Sequence, residues 1–129
     1  MPVLLDSHAL HWWASEPDRL SPTARRTLQN ADELVLASVS WYELAWLAQH
    51  SRVTIHVPLR VWLDDLAKEV RTVATTRAIA ATAVELPPSF PSDPADRVIF
   101  ATAIEHRWKL VTKDERILRY KHPTKIAVW

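Results

Sequence analysis

The sequence predicts an α/β domain with a central, mostly parallel sheet of about four to five strands flanked by helices. Three observations carry this. Short continuous apolar runs of strand length recur along the chain, as strands buried on both faces require. Longer segments with helical spacing of apolar residues separate them. Strand and helix alternate at intervals of roughly 20 to 40 residues, which implies βαβ units with right-handed crossovers. At 129 residues the chain is long enough for a proper core. No repeat, low-complexity stretch or linker divides it, so residues 1–129 are expected to form a single domain.

The elements follow in order. Val3-Leu4-Leu5 is a first buried strand and ends at Asp6. Helical periodicity then runs through Ala9, Leu10, Trp12 and Trp13. Ser21 is placed as the N-cap of a second helix with Pro22 at its first position, and Asn30 suits a left-handed cap at its end. Leu34-Val35-Leu36-Ala37 reads as a second buried strand, and Ser40-Trp41-Tyr42-Glu43 as a capping box opening a helix through Leu44, Leu47 and Ala48. Val57-Pro58 leads into a helix from about Leu59 to Val70, and Val73 suits a short strand. Thr75 or Thr76 caps an alanine-rich helix that stops before Pro87-Pro88. After a loop from Phe90, Asp93 caps a helix with Pro94 in its first turn. Val98, Ile99, Ala101, Thr102 and Ile104 make that helix apolar on much of its circumference, as a central helix would be. Leu110-Val111-Thr112 is a further strand, followed by Asp114, and Ile126-Ala127-Val128 suits a last edge strand.

Composition narrows the chemistry. There is no cysteine, so neither a disulfide nor a thiolate metal site can form, which suits a reducing cytoplasm. Met1 to Leu5 is too short for a signal peptide, and no run reaches the ~18 apolar residues of a membrane span. A cytoplasmic protein without membrane contact is expected. Glycine is absent, which excludes P-loops and dinucleotide fingerprints and leaves side chains to do the chemistry. The formal net charge is only +1, but Arg107, Lys109, Lys113, Arg116, Arg119, Lys121 and Lys125 crowd the C-terminal stretch. They make either a basic face for RNA or an ordinary solvated surface.

Four carboxylates stand out by position. Asp6 follows the first strand and Asp114 the strand at Leu110, while Glu43 and Asp96 sit in first helical turns. Ligand sites of open α/β sheets lie beyond the C-terminal strand ends, where all four can converge. Gathered carboxylates repel one another and raise each other's pKa values, and a divalent cation is the simplest compensation. Oxygen-only ligands favour magnesium or manganese over zinc. The structural alternative is that Glu43 and Asp96 only serve helix starts. His8 and His11 have metal-compatible spacing, but solvent exposure or helix packing explains them better, and no HExxH pattern exists. Most of the seven tryptophans are expected in the core. Trp12 and Trp13 are not expected to enter the same core, which makes one of them a candidate partner contact.

Taken together, the motifs resemble those of PIN-domain proteins. Val3-Leu4-Leu5-Asp6-Ser7-His8-Ala9-Leu10 is similar to their opening strand and Asp. Ser38-Val39-Ser40-Trp41-Tyr42-Glu43-Leu44-Ala45 is similar to their second motif. Asp93-Pro94-Ala95-Asp96-Arg97-Val98-Ile99 and Leu110-Val111-Thr112-Lys113-Asp114 match the third and fourth. The order is the family's and the whole chain is covered, with VapC-type toxins of toxin–antitoxin pairs as the nearest resemblance. The resemblance implies an endoribonuclease dependent on Mg2+ or Mn2+, in which metal-activated water hydrolyses RNA phosphodiester bonds. It implies that Asp6, Glu43, Asp96 and Asp114 are the acidic quartet that is both catalytic and metal-binding. Asp93 would be a companion acid, and Ser40 and Thr112 polar residues lining the site. It further implies a homodimer and a cognate VapB-type antitoxin. The family often has glycine after its helices where this chain has Arg107, so Arg107 or a neighbour must close that helix without one. A catalytically silent, partner-binding PIN-like module is the alternative, and would be favoured by an eroded quartet. Phosphotransfer domains fit less well, because Ser7 and His8 follow Asp6 where those folds need another acid.

Overall fold

The computed structural model describes residues 1–129. Its sheet has five strands in the order β3-β2-β1-β4-β5, every neighbouring pair parallel. The strands are β1 (Pro2–Leu5), β2 (Glu33–Ala37), β3 (Arg71–Val73), β4 (Lys109–Val111) and β5 (Ala127–Val128). Between them run α1 (Ser7–Ser15), α2 (Pro22–Gln29), α3 (Val39–Gln49), α4 (Leu59–Ala67), α5 (Arg77–Glu85), α6 (Pro94–His106) and α7 (Glu115–Arg119), with a single 3-10 turn at Pro17–Arg19. The α/β architecture read from the apolar runs is therefore present, with every pairing parallel.

Side-chain alternation along the strands divides the core into two layers. Val3, Leu5, Leu36 and Val111 point to one face, where α1, α2, α3 and α4 cover them with Leu10, Trp12, Leu28, Leu44, Trp62 and Leu66. Leu4, Val35, Ala37, Val73 and Leu110 point to the other, against Ile99, Phe100 and Ala103 of α6 and Ile117 of α7. As expected, α6 is central: Ala101 also packs on Ile79 and Ala83 of α5. Arg97, on the same helix, donates to the carbonyls of Ala83, Leu86, Pro87, Phe90 and Pro91. One guanidinium thus satisfies the backbone of the α5–α6 loop and fixes the entry to α6.

Several local readings are corrected. Ser40 does not cap α3. Ser38 stands at that helix start with helical dihedrals and makes no side-chain capping bond, because the chain passes from β2 into α3 without an extended cap residue. Ser40 lies inside α3 and is fully buried, and Glu43 is freed from any capping role. Asn30 is right-handed (φ −89°, ψ −2°), since α2 passes into β2 through Ala31 and Asp32 without the reversal a left-handed cap provides. Helix α4 stops at Ala67, where Lys68 and Glu69 donate to Asp65 and Leu66 and turn the chain into β3. Thr76, not Thr75, caps α5 through a bond from the Ile79 amide. Trp12 and Trp13 pack on the same core cluster, because α1 is covered by α3 and α4 as well as by the sheet.

The two residues with positive φ are Ser51 (55°) and Arg107 (59°). Each follows a helix in a Schellman turn. After α3, Ser51 donates to Ala48 and Arg52 to Leu47; after α6, Arg107 donates to Ile104 and Trp108 to Ala103. Glycine ordinarily occupies this left-handed position because a Cβ there costs about 1 kcal/mol or more. Arg107→Gly and Ser51→Gly are each expected to stabilise the fold by about 0.5–1 kcal/mol, raising Tm by several degrees on thermal melting. A lower Tm for both would show that these turns carry no such cost.

Candidate functional site

The parallel ladders bring the C-terminal strand ends to one edge of the sheet, and the acids collect there. Asp6 directly follows β1, and its amide donates to the Val111 carbonyl of β4 (3.1 Å). Its Oδ1 caps α1 through the Ala9 amide (2.8 Å), and its Oδ2 accepts from the Thr112 hydroxyl (2.5 Å). The same hydroxyl accepts the Asp114 amide (3.1 Å), so Thr112 joins the ends of β1 and β4. Asp114 caps α7 by accepting from the amides of Arg116 and Ile117. Asp93 caps α6, its Oδ2 accepting from the Asp96 amide (3.0 Å). Glu43, one turn into α3, accepts a hydrogen bond from the Ser7 hydroxyl.

Asp6, Glu43, Asp93, Asp96 and Asp114 line one open cleft of about 650 Å³, together with Ser7, His8, Arg19, Lys113 and Arg116. Carboxylate oxygens of Glu43, Asp93 and Asp96 all lie within 4.8 Å of one another. The electrostatic cost is visible in two groups. Asp96 is pushed up to about 7, by burial first and then by the charges of Asp93, Asp114, Glu43 and Asp6. The Asp6 carboxyl is also raised, mainly by burial, against the lowering influence of its bonds from Thr112 and Ala9.

This donor set suits a hard divalent cation. All contributing atoms are oxygens, and ligands around a magnesium ion at about 2.1 Å stand up to about 4.2 Å apart, close to the spacing present. A cation would also neutralise the repulsion that raises the pKa of Asp96. All four acids singled out from the sequence therefore share the cleft. Asp93, read first as a cap, is a cap and a member of the acidic trio at once. Thr112 lies beneath the cleft as a link between acids. Ser40 is fully buried, its Oγ has no hydrogen-bond partner, and it does not line the cleft. His8 is exposed at the cleft wall, whereas His11 is buried with its Nε2 3.2 Å from Glu16, so the two do not form a ligand pair. Ser7, Arg19, Lys113 and Arg116 were not singled out for the site. Ser7, beside Asp6, was the one with a positional signal.

Known proteins place this geometry in context. The family model described as PIN domain matches residues 3–123. Ribonuclease VapC22 of Mycobacterium tuberculosis (strain ATCC 25618 / H37Rv) is 56% identical over 127 residues, covering 98% of each chain. Among solved structures, a toxin–antitoxin complex from Klebsiella pneumoniae superposes with a TM-score of 0.67 at 18% identity, over 96% of this chain and 99% of that one. VapBC2 from Rickettsia felis, bound to a DNA fragment from their promoter, gives 0.70 at 16% identity, over 99% and 98%. At such identities the two structures speak for the fold.

The raised Asp96 carboxyl gives a pH dependence of known sign. Between the ordinary value of 3.8 and about 7 the folded state keeps a proton that the unfolded state releases, so this group's contribution to stability falls as pH rises through that window. For a partly exposed group the loss is on the order of 1–2 kcal/mol after solvent screening. In EDTA at about pH 8, Asp96→Asn is expected to unfold at higher denaturant than the parent, and near pH 4 the two should converge. Equal midpoints at both pH values would show that Asp96 carries no such repulsion.

Proposed function

The chain belongs to the PIN-domain family, and we propose that it is a metal-dependent endoribonuclease of the VapC toxin kind that hydrolyses RNA phosphodiester bonds. The observation that carries this is the convergence of Asp6, Glu43, Asp93, Asp96 and Asp114 on one cleft at the strand ends. A relative 56% identical along nearly the whole chain is named a ribonuclease. The quartet Asp6, Glu43, Asp96 and Asp114 is the proposed catalytic and metal-holding set, with Asp93 as a fifth acid beside Asp96. Ser40 is not included, because it lies below the cleft surface.

Mg2+ or Mn2+ held by these acids would supply charge neutralisation of the phosphodiester and a water activated for attack. The chain's own residues do the rest. Thr112 and the Ala9 amide hold the Asp6 carboxylate in one orientation, and Ser7 does the same for Glu43. Asp93 fixes the first turn of α6 and so the backbone that carries Asp96. Lys113 and Arg116 at the cleft margin offer positive charge to the entering polyanion. The attacking water adds at phosphorus as the ribose 3′-oxygen leaves, giving 5′-phosphate and 3′-hydroxyl ends.

A cognate VapB-type antitoxin, a homodimer and a cytoplasmic location complete the proposal. No helix is long and apolar enough to cross a membrane. Tyr42 and Trp46 on α3 and Val57 and Val61 at α4 are exposed large apolar side chains of the kind a protein partner would cover.

Full-length protein freed of antitoxin is expected to cut cellular RNA in Mg2+ or Mn2+ and not in EDTA. Asp96→Asn should lower the rate by about a hundredfold or more, as when a group that stabilises transition-state charge is removed. Mapping of the ends should find 5′-phosphates. A folded protein that cuts no RNA in any metal would overturn the ribonuclease and leave the partner-binding module.

A further inference from the structure

The acidic cleft opens into a second depression. His8, Trp12 and Arg19 line both. The second has a volume of about 670 Å³ and lies between the last turn of α1 and the segment that precedes α4. Arg52 and His56 form its far wall, and Trp62 lies at its base.

Charge reverses between the two. The first carries the carboxylates Asp6, Glu43, Asp93, Asp96, Asp114 and Glu115; the second carries only Glu16. That one is engaged, 3.2 Å from Nε2 of His11 and 3.8 Å from Arg19. Arg52 forms no ion pair; its guanidinium carbon stands 6.0 Å from the Trp46 ring centroid. Its backbone is fixed by the Schellman turn at Ser51, the Arg52 amide donating to Leu47 (2.8 Å). The guanidinium of Arg19 lies 5.0 Å from the Trp12 ring centroid. Trp12 and Trp62 are only 8% and 7% exposed, so they form an apolar base and offer no free face for stacking.

We propose that this depression is a phosphate subsite for single-stranded RNA, in which a phosphodiester flanking the scissile one seats between Arg19 and Arg52. The inference rests on the ribonuclease reading of the acidic cleft. A polyanion lying across six carboxylates is favourable only where cations compensate it, and a strand that leaves past His8 meets two guanidiniums. Guanidinium matches phosphate with two parallel donors, and phosphate contacts fix register without reading sequence. The subsite therefore positions the strand over the acids and leaves base preference to other contacts. It takes a backbone phosphate of RNA, and no free nucleotide is required.

The test uses the full chain with Asp96→Asn, so that RNA is not consumed, and a short 5′-fluorescein single-stranded oligoribonucleotide of mixed sequence read by anisotropy. Arg52→Ala and Arg19→Ala are each expected to raise Kd about fivefold to tenfold and to reduce the slope of log Kd against log salt by about 0.7, the share of one phosphate. Arg52→Lys should recover part of both effects. Lys68→Ala, on the far end of α4, should change neither, and thermal melts should match the parent. An unchanged Kd and slope for Arg52→Ala overturns the subsite, as does an equal loss from Lys68→Ala or no RNA binding at all. If those occur while the parent still cuts RNA in an Asp96-dependent way, the ribonuclease reading survives. Arg52-dependent binding by a parent that cuts nothing would keep the subsite and remove the ribonuclease.

Discussion

Everything at the site depends on β1 being hydrogen-bonded on both sides in parallel. Leu4 and Leu5 pair with Val35 and Leu36 of β2 on one flank and with Leu110 and Val111 of β4 on the other. Three parallel strands in this register must end at the same edge, so the residues that follow them meet whatever their separation in sequence. The Thr112 hydroxyl reaches Asp6 across 106 positions of chain for this reason. Both faces of the central strands are sealed by helices, so the ladder has no freedom to slip: a one-residue shift would exchange the faces of Leu4 and Leu5, which are fully buried in different clusters.

Concentrating acids at that edge is costly, and the chain offsets the cost with its own helix starts. Asp6, Asp93 and Asp114 are N-caps of α1, α6 and α7, each accepting backbone amides at the positive end of a helix. Glu43 takes the Ser7 hydroxyl. Asp96 is the exception. Its own amide is spent on Asp93, its carboxylate has no hydrogen-bond donor from the chain, and four other acids surround it. Asp96 is thus raised with no capping bond to offset the charges around it. A bound cation would give it what the capping bonds give the others.

This double use explains why the sequence could be read so far and no further. Apolar runs ending in Asp6 and Asp114 gave the strands and the edge at once, and Asp93-Pro94 gave the helix start. Reading Asp93 as a cap was correct and incomplete, because one carboxylate oxygen caps while the side chain still faces the cleft. The capping box at Ser40 failed because its spacing pattern is satisfied by chance within a helix whose N-cap position is Ser38, two residues earlier. Ser7 acts through Glu43, a contact made only after α1 packs on α3, which no periodicity encodes. The absence of glycine rules out glycine-built phosphate cradles. It also implied that left-handed turns would fall on other residues: Arg107 was marked as a possible one, whereas Ser51, after the helix read through Ala48, was not.

The same geometry sets a direction along the groove. The capping requirement ties the acids to helix N-termini, and those all open onto the strand-end edge. Cations are free of that requirement and collect where chains turn: Arg19 in the 3-10 turn after α1, Arg52 in the Schellman turn after α3. The acidic and basic halves of the groove meet along α1, whose His8 and Trp12, with Arg19 just beyond it, line both. A polyanionic strand spanning both halves would use a cation held by the acids and the guanidinium of Arg52 together, so that neither half alone accounts for its binding.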